Sequence, residues 1–125
     1  MNIPGHHQAI MPYLILQNAE DFIRFTANAF GAQLALKHLR EDGSSVMHAE
    51  IIINGSTIMV AEPTTQWKAS PVHLFIYTEN ADNTYASALA AGASSLMEPN
   101  DRDYGRSCGI TDPFGNVWWI TSSLN

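Results

Sequence analysis

The sequence predicts an α+β fold built from two copies of one module, each a strand, a helix and three further strands (βαβββ). The first observation behind this prediction is a degenerate repeat, in which "NAEDFIRFTANAFGA" (18–32) resembles "NADNTYASALAAGA" (80–93). The second is that "GSTIMV" (55–60) resembles "GNVWWI" (115–120), each a glycine turn followed by a strand. Because the offset between the copies stays near sixty residues, we interpret them as two related modules of one domain.

The first module is expected to open with a strand and continue into a short helix. Asn18 is the predicted cap of this helix, which runs to about Phe30 and ends at Gly31. Asparagine favours N-caps, and glycine accepts the left-handed conformation that commonly follows a helix. The predicted elements are a strand at residues 10–17, the helix at 18–30 and strands near 33–39, 45–53 and 56–61.

The second module repeats this order after a linker at residues 62–71. Its predicted elements are a strand at residues 72–78, a helix at 82–91 and strands near 93–97, 106–111 and 116–121. The whole chain, residues 1–125, is thus read as a single domain with modules at about 10–62 and 72–122.

Alternation along the predicted strands divides their side chains between two faces. One face is uniformly apolar and is expected to pack on the helices. It consists of Leu14, Leu16, Ile58, Val60, Leu74, Ile76, Trp118 and Ile120, joined on the third strand by Met47, Ala49, Ile51 and Ile53. The matching helix stripes are Phe22, Phe25 and Ala29 in the first module and Tyr85, Ala88 and Leu89 in the second.

The opposite face, called the second face below, is aromatic and partly polar, which is typical of a ligand pocket. Because Trp118 and Trp119 are neighbours on one strand, Trp118 is expected in the core and Trp119 on the second face. The sixty-residue offset makes Cys108 the repeat equivalent of His48 and adds Arg106 to the same face. The predicted ligand-binding residues are Tyr13, His48, Glu50, Met59, His73, Phe75, Tyr77, Arg106, Cys108 and Trp119.

The composition of the chain argues against nucleic-acid and membrane partners. The net charge is -6 with only six lysine and arginine residues, so a nucleic-acid partner is not expected. No apolar run approaches the roughly 18 residues of a membrane helix, and the N-terminus shows no signal-peptide pattern, so no membrane partner is expected either.

A single cysteine, Cys108, excludes an internal disulfide and fits the cytoplasm. His6 and His7 are either a metal-binding fragment or, because they lie in a terminus expected to be frayed, residues without a role, and the second interpretation is preferred.

Four stretches give the chain its resemblance to a known family: "MPYLILQNAEDFIRFTANAFGA", "VMHAEIIINGSTIMVAEP", "ALAAGASSLMEP" and "YGRSCGITDPFGNVWWIT". Over about residues 10–122 the chain resembles the glyoxalase/bleomycin resistance/dioxygenase (vicinal oxygen chelate) superfamily, and most closely its PhnB-like, glyoxalase-like branch. The resemblance implies curled mixed sheets around a cavity, helices on the outer face, and a homodimer that closes the cavity by pairing modules. Because the superfamily includes lyases, epimerases, dioxygenases and drug-sequestering binders, the fold does not decide the function.

Metal enzymes of this superfamily place ligands on the first and last strands of each module. The resemblance maps those positions onto Met11, Met59, His73 and Trp119. Only His73 suits a divalent ion such as Zn²⁺ or Mg²⁺, because a thioether favours Cu(I) and an indole offers no lone pair. We therefore expect no bound metal, no cofactor and no glyoxalase-type isomerisation.

Several candidate residues leave two interpretations open. His48 and Glu50, two apart on one strand face, form either an acid/base pair or a structural hydrogen bond. His73 is either a hydrogen-bonding group of the pocket or a half-buried strand residue. Cys108 is either a nucleophile or a small buried hydrophobe. Arg106 either binds a carboxylate or phosphate or forms a salt bridge, for which Glu50 is a candidate partner.

Two functions are consistent with these residues. The first is a metal-independent small-molecule-binding protein that sequesters an aromatic or antibiotic-like compound, as the aromatic second face and the missing metal ligands indicate. The alternative is an enzyme of the same superfamily, a lyase, isomerase or dioxygenase, with a non-standard site around His48, Glu50 and His73. No catalytic residue is assigned.

Overall fold

The computed structural model describes residues 1–124 and has the predicted α+β fold, with the βαβββ order occurring twice. The first half comprises β1 (Tyr13–Ile15), α1 (Ala19–Phe30), β2 (Gln33–Leu39), β3 (Val46–Ile53) and β4 (Ser56–Ala61). The second half comprises β5 (His73–Tyr77), α2 (Ala81–Ala90), β6 (Ser94–Arg102), β7 (Gly105–Thr111) and β8 (Val117–Ser122). The first strand is shorter than expected and the sixth is longer.

Each half forms its own four-stranded mixed sheet. The strand orders are β1-β4-β3-β2 and β5-β8-β7-β6. In both sheets the first and last strands of the half run parallel, whereas the other neighbours are antiparallel. Because the two sheets do not join into a barrel, their outer strands remain as edges. In the part of the chain that is described, neither helix is long and apolar enough to cross a membrane.

The hydrophobic core lies between the two helices and one face of each sheet. Phe22 of α1 is fully buried, and its ring lies 6.5 Å from that of Trp118 on β8. The ring of Phe30 is closer still to Trp118, at 4.6 Å between centroids. The helix of the first half therefore packs on the sheet of the second half, and the two halves share one core. The predicted apolar face is buried, except that Leu74 is only partly buried and Met47 is exposed.

Asn18 is the N-cap residue of α1, as predicted, but it does not cap the helix with its side chain. Asn18 adopts a left-handed backbone conformation with φ 59°, and its side chain makes no capping hydrogen bond. The backbone N–H of Ala19 instead donates to Glu62 Oε1 at 3.4 Å, so the helix start is tied to the end of β4. The predicted end is confirmed, because Gly31 has φ 69° and donates its N–H to Ala27 O. In α2 the repeat-equivalent Asn80 does cap, accepting from Asn83 N–H at 3.0 Å.

The expected inward orientation of Met47 is also wrong, because β3 contains a bulge. His38 pairs with His48, yet the next residue of β2, Leu39, pairs with Val46, so β3 has one extra residue at this point. A bulge reverses the alternation locally. Val46 is accordingly fully buried, whereas Met47 is 49% exposed.

Candidate functional site

The second sheet presents an aromatic strip on the face opposite the helices. The strip consists of His73, Phe75 and Tyr77 on β5, Trp119 on β8, and Tyr104 at the β6–β7 turn. The ring of Phe75 lies 5.2 Å from that of Tyr77 and 6.3 Å from that of Tyr104. Phe75, Tyr77 and Tyr104 are 51%, 65% and 58% exposed, so the strip is accessible from solvent. An exposed cluster of large rings is unusual on a monomer surface, which makes the strip a candidate interaction site.

The two tryptophans lie on opposite faces of β8, as the alternation predicted. Trp118 is 2% exposed and donates its indole N–H to Asp112 Oδ2 at 2.9 Å. Trp119 is partly exposed and donates its indole N–H to His73 Nδ1 at 3.2 Å. The rings of His73 and Trp119 also stack at 6.1 Å with an interplanar angle of 27°. His73 therefore orients the Trp119 indole within the strip.

A glycine makes room for the Trp119 ring. Gly109 of β7 pairs with Trp119 across the sheet. A Cβ added at Gly109 would lie 2.8 Å from Trp119 Cζ3 and 2.9 Å from Cε3, so the indole lies directly against the glycine backbone. Sequence reasoning did not identify Gly109, although a glycine inside a strand signals close approach of another group.

On the first sheet the predicted second-face residues Tyr13, His48, Glu50 and Met59 come together. Met59 of β4 pairs with Tyr13 on one side and with Glu50 on the other. The ring of Tyr13 is 53% exposed and lies 6.1 Å from that of His48. The four side chains thus form a continuous patch beside the edge strand β1.

Glu50 is the centre of a polar cluster on this patch. Its side chain is 5% exposed, and Oε2 accepts a hydrogen bond from His48 Nε2 at 2.8 Å. Oε1 is in contact with His6 Nε2 at 2.6 Å and with His7 Nε2 at 2.8 Å. The bonds from His48 and His7 outweigh the opposing effect of burial and lower the pKa of Glu50 to about 2, with a smaller contribution from His6.

The predicted proximity of His48 and Glu50 is confirmed, but the contacts of His6 and His7 with Glu50 were not predicted. The N-terminus was expected to be frayed, and a contact between residues 43 or 44 positions apart leaves no local signal in the sequence. His73, in contrast, lies on the second sheet and bonds to Trp119. His73 is therefore not part of the cluster that contains His48 and Glu50.

The predicted facing of Cys108 and Arg106 is wrong. Cys108 is fully buried beneath α2, where its Sγ lies 3.9 Å from Ala81 O, and burial raises the pKa of its thiol to about 11. Arg106 pairs with Asp82 of α2 and with Asp101, not with Glu50. Both side chains are on the helix-facing side of β7.

A difference in turn length explains this error. Ile51 pairs with Ile58, seven positions later, whereas Ile110 pairs with Trp118, eight positions later. The β7–β8 turn is therefore one residue longer than its counterpart, and the offset of sixty that relates β4 to β8 falls to fifty-nine between β3 and β7. A shift of one residue moves every side chain of a strand to the other face.

The positions that hold metal in the superfamily do not fit a divalent ion here. The thioether of Met11 accepts a hydrogen bond from Gln8 N–H at 3.4 Å, and Met59 supplies a second thioether. The indole N–H of Trp119 is a donor, and it is directed at the Nδ1 of His73. Soft sulfur and an indole do not replace the imidazole, carboxylate and amide ligands that hard or borderline ions require.

Comparison with known proteins agrees with this fold. Residues 6–120 match the sequence profile of the Glyoxalase/Bleomycin resistance protein/Dioxygenase superfamily. An uncharacterized protein of Mycobacterium bovis, Mb0911c, is 28% identical over 122 residues, which cover 88% of this chain and 80% of the relative.

Two solved structures have the same overall architecture. TnmS3, an antibiotic binding protein from Streptomyces sp. CB03234, superposes with a TM-score of 0.73 at 18% identity, covering 94% of this chain and 99% of TnmS3. The PhnB protein from Bacillus cereus superposes with a TM-score of 0.69 at 19% identity, covering 93% of this chain and 100% of that protein. At these identities the two structures establish the fold alone.

Proposed function

Because the chain belongs to the glyoxalase/bleomycin resistance protein/dioxygenase superfamily, we propose that it is a metal-independent small-molecule-binding protein that sequesters a planar aromatic or antibiotic-like compound. The observation that carries this proposal is the aromatic strip of the second sheet. Its rings are exposed, whereas the core aromatics Phe22 and Trp118 are buried. We also propose that the protein acts in the cytoplasm, because its single cysteine is a free thiol.

Trp119 is the proposed stacking platform. Its indole rests against the backbone of Gly109 and is oriented by His73, and the side chain remains partly exposed to solvent. Stacking of a planar ligand on an aromatic ring contributes about 0.5–1.5 kcal/mol beyond the burial of area. A preoriented ring loses little conformational entropy on binding, which favours affinity.

Binding is preferred over catalysis because the residues of the enzymatic alternative are not assembled. His48 and Glu50 are hydrogen-bonded to each other on the first sheet, whereas His73 is engaged by Trp119 on the second. The thiol of Cys108 is buried and its pKa is raised, which disfavours the thiolate needed for nucleophilic attack. TnmS3 shows that an antibiotic binding protein exists with this fold, and that parallel supports the same class of function here.

A thermal-shift screen against a library of bicyclic and tricyclic planar aromatic compounds tests the proposal. A ligand present at about 100 times its Kd stabilises the folded state by about 2.7 kcal/mol, which raises Tm measurably. We expect at least one compound to raise the Tm of the wild type and not that of Trp119→Ala or Gly109→Ala. Gly5→Ala is the matched control, because no atom lies within 4 Å of a Cβ at that position. If both site variants responded like the wild type, ligand binding at the strip would be refuted.

We further propose that the chain forms a homodimer in which modules of the two chains pair and close the ligand cavity between their second faces. Tyr13, Phe75 and Leu96 are 53%, 51% and 51% exposed, although each is large and mostly apolar. The outer strands β2 and β6 are sheet edges with mostly exposed residues. Pairing two chains by a two-fold axis would bury both kinds of surface at once.

Light scattering at micromolar concentration is expected to give twice the 13.7 kDa mass of the chain. Leu96→Glu should shift the mass towards the monomer, since an unpaired carboxylate would be buried in the interface. Leu124→Glu is the matched control, because Leu124 is 55% exposed near the C-terminus, outside the sheets. A wild type that stays monomeric at this concentration would contradict the proposed dimer.

A further inference from the structure

We propose that His6, His7 and Glu50 form a binding site for one divalent transition-metal cation, of which Zn²⁺ is the best match, and that the cation fastens the N-terminal segment to the first sheet. The ligand atoms of these three residues all lie within 4.8 Å of one another. This site is separate from the aromatic strip, so the proposal does not rest on the proposed function.

The geometry suits a cation between the three groups. His6 Nε2 and His7 Nε2 lie 2.6 and 2.8 Å from the same oxygen, Glu50 Oε1. Tetrahedral Zn²⁺ with ligands at about 2.0–2.2 Å separates neighbouring ligand atoms by roughly 3.3 Å. Each Nε2 therefore needs to move away from Glu50 Oε1 by less than about 1 Å to admit the ion, and the two Nε2 atoms already lie within 4.8 Å of each other. Two imidazoles and one carboxylate leave a fourth position for water or another donor.

The burial of the Glu50 carboxylate favours a cation at this site on electrostatic grounds. Its carboxylate is 5% exposed, and burying a charge without a partner of opposite charge is costly. Among residues 1–124 its ion-pair partners are the histidines His6, His7 and His48, with no lysine or arginine. A divalent cation would balance the charge of the carboxylate, and imidazole Nε2 and carboxylate oxygen are ligand atoms that Zn²⁺ accepts.

The N-terminal segment is held in place by contacts that do not involve the imidazoles. Thr57 Oγ1 donates to the backbone oxygen of His6. Gln8 Nε2 donates to Thr57 O at 2.7 Å, and a turn closes with His7 N–H donating to Pro4 O at 3.0 Å. This turn places the two neighbouring rings edge to face at 4.5 Å on the same side of the chain. Both Nε2 atoms are thus presented to Glu50 before any ion binds.

His48 acts as the positioning residue of this site. Its Nε2 lies 2.8 Å from Glu50 Oε2, the oxygen that His6 and His7 leave free. A hydrogen bond to the second carboxylate oxygen fixes the orientation of a ligating glutamate, and loss of such outer contacts typically lowers metal affinity by about 10–100-fold. His6, His7 and Glu50 are a different donor set from Met11, Met59, His73 and Trp119, the positions at which no bound metal was expected.

The test is isothermal titration of ZnCl₂ into the full, tag-free chain after removal of metal with a chelator. We expect saturable binding of one Zn²⁺ per chain. The double variant His6→Ala/His7→Ala should lose this binding, and His48→Asn should weaken it by about 10–100-fold. Glu50→Gln should also lose it. If Glu50→Gln does not fold because Glu50 is buried, the double variant, which changes one exposed and one partly exposed side chain, keeps the test decisive. His73→Ala, on the other sheet, is the matched control and should bind like the wild type.

Two further readouts distinguish binding at this site from nonspecific binding of the metal. Zn²⁺ should raise the Tm of the wild type but not that of the double variant, because an ion that binds only the folded state stabilises it. Co²⁺ should give the visible absorption of a four-coordinate or five-coordinate ion in the wild type alone. Absence of saturable binding, unchanged binding in the double variant, or loss of binding in His73→Ala would each overturn the proposal.

Discussion

Replacement of Trp118 by alanine is expected to lower the free energy of unfolding by about 3–5 kcal/mol, the usual cost of removing a large buried aromatic side chain. Trp118 is 2% exposed and lies where both halves of the chain meet, in contact with Phe22 and Phe30 of α1. Its removal would leave a cavity between the helix of one half and the sheet of the other. Urea denaturation followed by circular dichroism, at fixed protein concentration, measures the loss.

Trp119→Ala is the matched control for this prediction, because it removes the same side chain from the adjacent position. Trp119 is partly exposed on the second face, so its loss should cost clearly less stability than the loss of Trp118. If Trp119→Ala unfolded the chain while Trp118→Ala was tolerated, the facing of β8 would be reversed, and the aromatic strip would have to be redrawn.

Asp112→Ala is expected to destabilise the fold by about 3 kcal/mol or more, since each buried donor left unpaired costs about 1–3 kcal/mol. Asp112 is 4% exposed in the β7–β8 turn. Its Oδ1 accepts from the backbone N–H groups of Phe114 and Asn116, each at 2.9 Å. Its Oδ2 accepts from Asn116 Nδ2 at 3.1 Å and from the indole of Trp118 at 2.9 Å. One carboxylate thus holds both the turn and the central core residue.

Asp42→Ala provides the comparison for Asp112→Ala. Asp42 also accepts two backbone N–H bonds in a turn, from Ser44 and Ser45, each at 2.9 Å, but its turn is exposed. Water can replace an exposed carboxylate, so this variant should lose much less stability than Asp112→Ala. Equal losses of stability in the two variants, measured by the same denaturation experiment, would show that burial of the Asp112 hydrogen bonds does not increase their contribution to the free energy of unfolding.

The fold was predictable because the same pattern of strands, helix and turns occurs in both halves of the sequence. Glycine turns, helix stripes and alternating strands recur in both halves, and each signal is local. The opposite facing of Trp118 and Trp119 follows from strand alternation alone, without knowledge of any long-range contact. Asn18 was the local signal that misled, because a contact from Glu62, far along the chain, replaced the expected side-chain cap.

The candidate sites were less predictable because they depend on register and on distant contacts. One extra residue in the β7–β8 turn moves Cys108 and Arg106 to the helix side, and a degenerate repeat does not fix an offset to one residue. The approach of His6 and His7 to Glu50 depends on how the N-terminal segment lies across β4, which no periodic pattern encodes.

The central claim, that the aromatic strip binds a planar ligand on Trp119, is tested most directly by tryptophan fluorescence. The compound giving the largest Tm increase in the screen is titrated into the wild type, Trp67→Phe and Trp119→Phe. Trp67 is 61% exposed in the linker and serves as the control. We predict that emission changes with the same midpoint in the wild type and in Trp67→Phe, and changes much less in Trp119→Phe. An undiminished change in Trp119→Phe, or a change that disappears in Trp67→Phe, would contradict the claim.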